Sequence, residues 1–87
     1  MKVAVWDTYV TKDDGTIMHF DIIAPDKIRE EQIIHTFGKN YLESKNQQDL
    51  PLTAKECKFC HIEEASEQMI TDINSKGYHI IEMQNCN

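Results

Sequence analysis

Two cysteines and a histidine lie close together in the stretch E-C-K-F-C-H at residues 56–61, which has the pattern C-x-x-C-H. Thiol and imidazole groups at this spacing are typical of c-type haem attachment, of half a zinc site and of a dithiol redox pair. Covalent haem attachment usually requires export to an oxidising compartment and a largely helical shell, and the sequence indicates neither. The zinc site and the redox pair remain as alternatives.

A structural zinc ion needs four ligands, mostly nitrogen or sulfur, and the chain contains the required atom types. The candidate ligands are Cys57, Cys60, His61 and Cys86, with His79 as a further donor. Most structural zinc sites combine two paired knuckles, whereas this sequence has a single C-x-x-C pair. We therefore predict that no cofactor is bound, and we keep zinc at these residues as the alternative.

The same cysteine pair is a poor match to a thioredoxin-like site. Such a site places its first cysteine at the start of a helix, where the helix dipole lowers the pKa of the thiol. The residues before Cys57 are polar, and the carboxylates of Glu56 and Glu63 disfavour a thiolate. Cysteine is often buried, so we interpret Cys57 and Phe59 as core positions of a strand that directs His61 to the same face. No catalytic residue is assigned, and an enzymatic role is not favoured.

Length and charge restrict the classes of protein to consider. The 87 residues are enough for one modest hydrophobic core, which predicts a single domain spanning residues 1–87. The formal charge is −6 and the basic residues are scattered, so a nucleic-acid partner is not expected. No apolar run approaches the roughly eighteen residues of a membrane span, and the apolar stretch after Met1 is too short for an export signal. Together with an odd number of cysteines, these features predict a soluble cytoplasmic protein without a membrane partner.

The first two elements are predicted to form a β-hairpin. Residues 2–10 and 16–24 are rich in β-branched and aromatic side chains, and Asp14-Gly15 lies between them. A two-residue turn at Asp14-Gly15 would pair Val10 with His19. This register determines which side chains share a face of the sheet.

The predicted register divides the hairpin into a core face and a second face. The core face is apolar with one exception and consists of Val3, Val5, Asp7, Tyr9, Met18, Phe20 and Ile22. The second face mixes apolar and polar groups and consists of Trp6, Thr8, Val10, His19, Asp21 and Ile23. Such a mixture is typical of a binding surface, so we predict that this face meets a protein partner, most simply a second copy of the chain. The alternative is that the loop at residues 50–53 or the C-terminal tail covers Trp6 within one chain.

Two helices and two further strands complete the predicted fold. Helices are predicted near residues 26–44 and 66–76, and strands near residues 54–61 and 78–83. Asp26 and Ser66 are the predicted N-caps of the two helices. These elements give an α+β fold with ββαβαβ order. A strand–helix–strand connection usually makes its strands parallel, so we predict that the sheet is mixed. In this fold, a two-layer α/β sandwich, a four-stranded mixed sheet carries both helices on one face.

Three segments carry a resemblance to a known family. They are the start M-K-V-A-V-W-D-T-Y-V, the centre L-T-A-K-E-C-K-F-C-H-I-E-E-A at residues 52–65 and the end G-Y-H-I-I-E-M at residues 77–83. With these segments the chain resembles a small family of short bacterial proteins classed as a domain of unknown function. The resemblance implies a compact cytoplasmic α+β domain and supplies no catalytic residue. We therefore predict a small binding or interaction domain, with a metal-binding or thiol-redox protein as the alternative.

Overall fold

The computed structural model describes residues 1–53 and 56–86, which contain six secondary-structure elements. They are β1 (Lys2–Thr11), β2 (Ile17–Pro25), α1 (Glu31–Ser44), β3 (Cys57–Glu64), α2 (Glu67–Lys76) and β4 (His79–Gln84). The ββαβαβ order and the α+β class are confirmed. The third strand begins at Cys57 rather than at residue 54, and residues 54 and 55 of the predicted strand lie outside the described residues.

The strands form one sheet in the order β3-β1-β2-β4, and every neighbouring pair is antiparallel. The prediction of a mixed sheet is therefore wrong. A strand–helix–strand connection gives a parallel pair only when it joins neighbouring strands, and neither connection does so here. Strand β1 separates β2 from β3, while β3 and β4 form opposite edges of the sheet.

The β1–β2 hairpin has one more loop residue than a two-residue turn requires. The amide of Gly15 donates to the carbonyl of Lys12 at 3.0 Å, and Gly15 has a φ of 89°, which glycine adopts without strain. The additional residue shifts the register, so that Val10 pairs with Met18. The predicted pairing of Val10 with His19 is therefore wrong.

Helix α1 packs against one face of the sheet, which we call the α1 face. The buried apolar residues of the hairpin on this face alternate along its strands and are Ala4, Trp6, Val10, Met18, Phe20, Ile22 and Ala24. Gly38 allows the helix to approach closely, because a Cβ at this position would lie 2.8 Å from Leu52 Cδ2 and 3.2 Å from Ile22 Cδ1. The sheet and α1 together form the predicted two-layer α/β sandwich.

Helix α2 packs against the opposite face, which we call the α2 face. Its residues Met69 and Ile73 form a separate buried cluster with Val3, Val5 and Ile23. These strand residues alternate with those of the α1 face and therefore point the other way. The prediction that both helices share one face is wrong, because the true register gives β1 and β2 apolar residues on both faces.

The N-terminal ends of the helices agree unequally with the predictions. Helix α1 begins at Glu31 rather than after Asp26, because a turn at residues 25–28 comes first. Helix α2 begins after Ser66, whose hydroxyl accepts a hydrogen bond from the amide of Met69 at 3.3 Å, so this predicted N-cap is confirmed. Within the described residues, neither helix has the length and apolar character needed to cross a membrane.

A β-bulge at Cys60 changes the face of the sheet to which the following side chains of β3 point. The pairing with β1 continues up to Phe59 and resumes at His61, which leaves Cys60 as the extra residue. Cys57 and Phe59 therefore point to the α1 face, whereas His61 points to the α2 face. The prediction that these three side chains share one face is wrong for this reason.

Candidate functional site

Helix α2 leaves part of the α2 face open. Its ten residues extend over about 15 Å, whereas the ten residues of β1 extend over about 33 Å. The helix covers the end of the sheet that carries Val3, Val5 and Ile23. The other end, which we call the open half, carries Asp7, Tyr9, Ile17, His19 and Asp21.

Three side chains of the open half converge, and we call them the Asp–His–Asp cluster. Asp7 and Asp21 lie directly opposite each other in the β1–β2 pair. The Nε2 atom of His19 lies 3.4 Å from Asp7 Oδ1 and 3.8 Å from Asp21 Oδ1. One possible ligand atom from each residue lies within 4.8 Å of the others. Among the described residues, this is the one group of three or more histidine, cysteine and carboxylate side chains that could jointly hold a metal ion.

The cluster is only partly shielded from water. The side chains of His19 and Asp21 are 16% and 14% exposed, and that of Asp7 is 37% exposed. Asp21 Oδ1 is itself buried, and none of the described residues gives it a hydrogen bond. Because a buried acceptor without a partner reduces the free energy of unfolding, this arrangement is costly for the folded protein.

The two carboxyl groups shift each other's protonation. Burial, followed by the hydrogen bond and the negative charge of Asp7, raises the pKa of Asp21 to about 6. The hydrogen bond from Asp21, with a smaller contribution from His19, lowers the pKa of Asp7. Above about pH 6 both groups are therefore ionised, and like charges directly opposite each other on neighbouring strands destabilise the sheet.

Exposed apolar side chains border the cluster. Tyr9 is 49% exposed and Ile17 is 51% exposed. The Tyr9 ring stacks on the imidazole of His19 with ring centroids 4.2 Å apart and planes 10° from parallel. The stacking restricts the orientation of the imidazole that faces the two carboxyl groups. The open half thus combines shielded charge with exposed apolar area, which is typical of a binding surface.

The structure brings Cys60 and His61 of the C-x-x-C-H stretch into contact, with Sγ and Nδ1 3.2 Å apart, and leaves Cys57 apart from them. The members of the zinc set predicted as the alternative are Cys57, Cys60, His61 and Cys86. Cys57 and Cys86 are buried in the core beneath α1, whereas Cys60 is exposed at the bulge. The side chain of His61 is 53% exposed and its Nε2 lies 2.9 Å from Glu63 Oε1. The further donor His79 instead binds Asp72 of α2, with Nδ1 2.6 Å from the carboxylate.

Neither thiol of the pair has the low pKa of a reactive cysteine. Burial raises the pKa of the Cys57 thiol. Partial desolvation, followed by the negative charges of Asp7 and Asp21, raises the pKa of the Cys60 thiol. Because the nucleophile and metal ligand is the thiolate, these shifts work against redox chemistry and metal binding at the pair.

The predicted interaction face is not a single surface. Its members on the α1 face are Trp6, Thr8 and Val10, all of which are buried. Its members on the α2 face are His19, Asp21 and Ile23, of which Ile23 is buried against α2. The shifted hairpin register separates the two groups, because a shift of one residue moves every side chain of a strand to the other face.

Trp6 is a core residue. It is 5% exposed and clusters with Leu50, Leu52 and Cys86, which belong to the loop and the C-terminal end of the described chain. Its ring also meets Phe59 edge-on, with centroids 5.6 Å apart. Trp6 is therefore buried within one chain, in the same core cluster as residues of the two segments that the alternative names.

Asp7 and Tyr9 are the residues of the open half that the sequence interpretation assigned to the core. Asp7 was the exception on an otherwise apolar face, and a charge at a core position signals that the assumed register is wrong. Placing Asp7 on the same face as His19 and Asp21 requires only a shift of one residue. The charged residue Asp7 on an otherwise apolar face is therefore the feature of the sequence that indicates the cluster.

Comparison with known proteins gives a family and a related structure. A family model described as a domain of unknown function (DUF2024) matches residues 1–83. The NMR structure of protein NE1680 from Nitrosomonas europaea is similar to this chain, with 38% sequence identity, a TM-score of 0.86 and 100% of each chain covered. No curated protein matches the chain. These similarities support the fold and assign no ligand or reaction.

Proposed function

The chain belongs to the family described as a domain of unknown function (DUF2024), as its sequence resemblance predicted, and we propose that it is a small binding domain for a positively charged ligand. The proposed binding surface is the open half of the α2 face. The observation that carries the proposal is that two partly buried carboxyl groups, those of Asp7 and Asp21, lie directly opposite each other on neighbouring strands. We favour binding over catalysis. We also favour a cytoplasmic location, because Cys57, Cys60 and Cys86 are free thiols.

Charge selects the class of ligand. Two carboxylates on neighbouring strands repel each other, and a positive charge placed against both converts this repulsion into attraction. The exposed ring of Tyr9 beside the cluster adds a π-face that a cation can contact. A ligand that neutralises Asp7 and Asp21 would therefore bind and also stabilise the fold.

The same charges work against self-association through the open half. A homodimer formed by this surface would bring two copies of the Asp–His–Asp cluster together in a chain whose formal charge is −6. Trp6, which belongs to the homodimer face predicted from the sequence, is buried within one chain. We therefore propose a positively charged partner rather than a second copy of the chain.

NMR titration of isotope-labelled protein tests the proposal. The probes are pentalysine and pentaglutamate, peptides of equal length and opposite charge. We expect pentalysine to shift the amide signals of Asp7, Tyr9, His19 and Asp21 more than those of the rest of the chain. Pentaglutamate should leave these signals unchanged.

Two variants with equal changes of charge separate the cluster from the general acidity of the surface. Asp7→Asn removes one charge from the cluster and should abolish the localised shifts. Glu30→Gln removes one charge from the exposed residue before α1 and should preserve them. Shifts spread over all acidic regions, or shifts that persist in Asp7→Asn, would contradict the proposal.

A further inference from the structure

We infer that the Asp–His–Asp cluster is a site for a divalent transition-metal ion of the zinc type, with Asp7, His19 and Asp21 as ligands. The assignment rests on the proposed function, because it uses the same surface and specifies the class of its positively charged ligand. It differs from the zinc set predicted from the sequence, since none of these three ligands is a cysteine and none belongs to the C-x-x-C-H stretch.

The distances in the cluster fit a tetrahedral ion. With metal–ligand bonds of about 2.0–2.1 Å, two ligand atoms of a tetrahedral zinc site lie about 3.3 Å apart. His19 Nε2 lies 3.4 Å from Asp7 Oδ1 and 3.8 Å from Asp21 Oδ1. The ligand atoms of all three residues lie within 4.8 Å of one another, so side-chain rotations would close the three groups around an ion. The stacked ring of Tyr9 already restricts the imidazole of His19.

The donor atoms select the class of ion. One imidazole nitrogen with two carboxylate oxygens suits zinc and its first-row neighbours, whereas calcium and magnesium prefer oxygen ligands alone. Two carboxylates also balance the charge of a divalent ion. The cluster is partly shielded from water, which strengthens the attraction between the ion and both groups.

Asp21 Oδ1 provides a second, independent observation. The atom is buried and accepts no hydrogen bond from the described residues, although most buried acceptors in proteins are paired. The 3.8 Å that separate it from His19 Nε2 are too long for a hydrogen bond. An ion bound beside Asp21 Oδ1 would give this atom the partner that it lacks.

His61 is a candidate for a fourth ligand. The bulge at Cys60 turns its side chain to the α2 face, on the strand that neighbours β1. Its imidazole is half exposed, with Nε2 2.9 Å from Glu63 Oε1 and Nδ1 3.2 Å from Cys60 Sγ. Because both contacts lie at the surface, the imidazole can exchange one of them for the ion, and water fills the fourth position otherwise.

Isothermal titration calorimetry with zinc chloride tests the assignment on protein freed of metal by a chelator. We expect one ion per chain and a higher melting temperature in the presence of zinc. His19→Gln and Asp21→Asn should each weaken binding at least about tenfold, since even loss of an outer-shell partner typically costs 10- to 100-fold. His61→Gln should have a smaller effect than His19→Gln.

A carboxylate–imidazole pair outside the cluster supplies the matched control. Asp72 and His79 form such a pair between α2 and β4, so Asp72→Asn should bind zinc as the wild type does. Cys60→Ser should also keep wild-type affinity. NMR signals of the histidine rings give a readout that does not depend on any variant, and zinc should shift the ring signals of His19 at one equivalent.

Three outcomes would overturn the assignment. They are failure of the wild type to bind zinc, binding that survives His19→Gln, and binding that is lost in Cys60→Ser. If pentalysine perturbs the open half but zinc does not bind, the metal assignment fails and the proposed function stands. If neither probe affects the open half, both fail.

Discussion

Replacement of Asp21 by asparagine should make the metal-free protein more stable at neutral pH. Burial, together with the neighbouring Asp7, raises the pKa of Asp21 from 3.8 to about 6. A carboxyl group with a raised pKa stabilises the native state while it is protonated, and this contribution is lost as the pH rises from 3.8 through about 6. Asparagine has nearly the same shape and stays neutral, so Asp21→Asn should remove this loss.

The magnitude follows from the size of the pKa change. A rise from 3.8 to about 6 corresponds to about 3 kcal/mol of unfolding free energy if it is fully expressed. Water screens part of this free energy, because the cluster is partly open. The lowered pKa of Asp7 offsets a further part of the free energy, because the two carboxyl groups share a proton. We therefore expect Asp21→Asn to be about 1 kcal/mol more stable than the wild type near pH 7.5 and nearly equal to it near pH 4.

Urea unfolding in the presence of a chelator, followed by circular dichroism between these two pH values, measures the effect. Asp72→Asn is a control of opposite sign, because the hydrogen bond from His79 lowers the pKa of Asp72. The Asp72 carboxylate stabilises the native state above its unfolded pKa of 3.8, so this variant should be less stable at neutral pH. A difference between Asp21→Asn and the wild type that is absent at neutral pH, or that grows as the pH falls, would refute the reasoning.

Three further predictions concern the core and the thiols. Trp6→Ala should lower the free energy of unfolding by about 3–5 kcal/mol and leave the oligomeric state unchanged in analytical ultracentrifugation; altered assembly with little loss of stability would contradict a core role. Gly38→Val should cost about 1–3 kcal/mol in urea unfolding, because its side chain would overlap groups already packed against the helix; an unchanged midpoint would disprove the close packing. An alkylating reagent followed by mass spectrometry should modify only Cys60 in the native protein, with Cys57 and Cys86 reacting after unfolding; early modification of either buried thiol would count against the described core.

The elements with strong local signals were predictable from the sequence. Ser66 caps α2 through its hydroxyl, and Gly77 ends the helix with a φ of 98°, so both ends follow from residues next to the helix. Strand order carries no such local signal, because it depends on which distant segments pair. The antiparallel sheet and the placement of α2 on the second face therefore did not follow from the order of elements.

Two single-residue features account for the errors about the site. Asp14-Gly15 suits a two-residue turn and also a longer loop that ends in a left-handed glycine, and only the pairing of the strands distinguishes them. The assumption of a two-residue turn placed Trp6 on the predicted binding face and Asp7 in the predicted core. The bulge at Cys60 has the same effect on β3, and it is set by the partner strand rather than by the C-x-x-C-H pattern.

The order β3-β1-β2-β4 places a local hairpin at the centre of the sheet and a strand from later in the chain at each edge. Pairing β1 with β2 closes a short loop, whereas each edge strand must wait until a long connection is ordered. The hairpin should therefore form first in folding, and its amide hydrogens should exchange most slowly with solvent. Because β3 and β4 pair with different strands, either edge can detach while the other stays in place. Detachment of β3 would carry His61 away and leave Asp7, His19 and Asp21 on the two strands that unfold last.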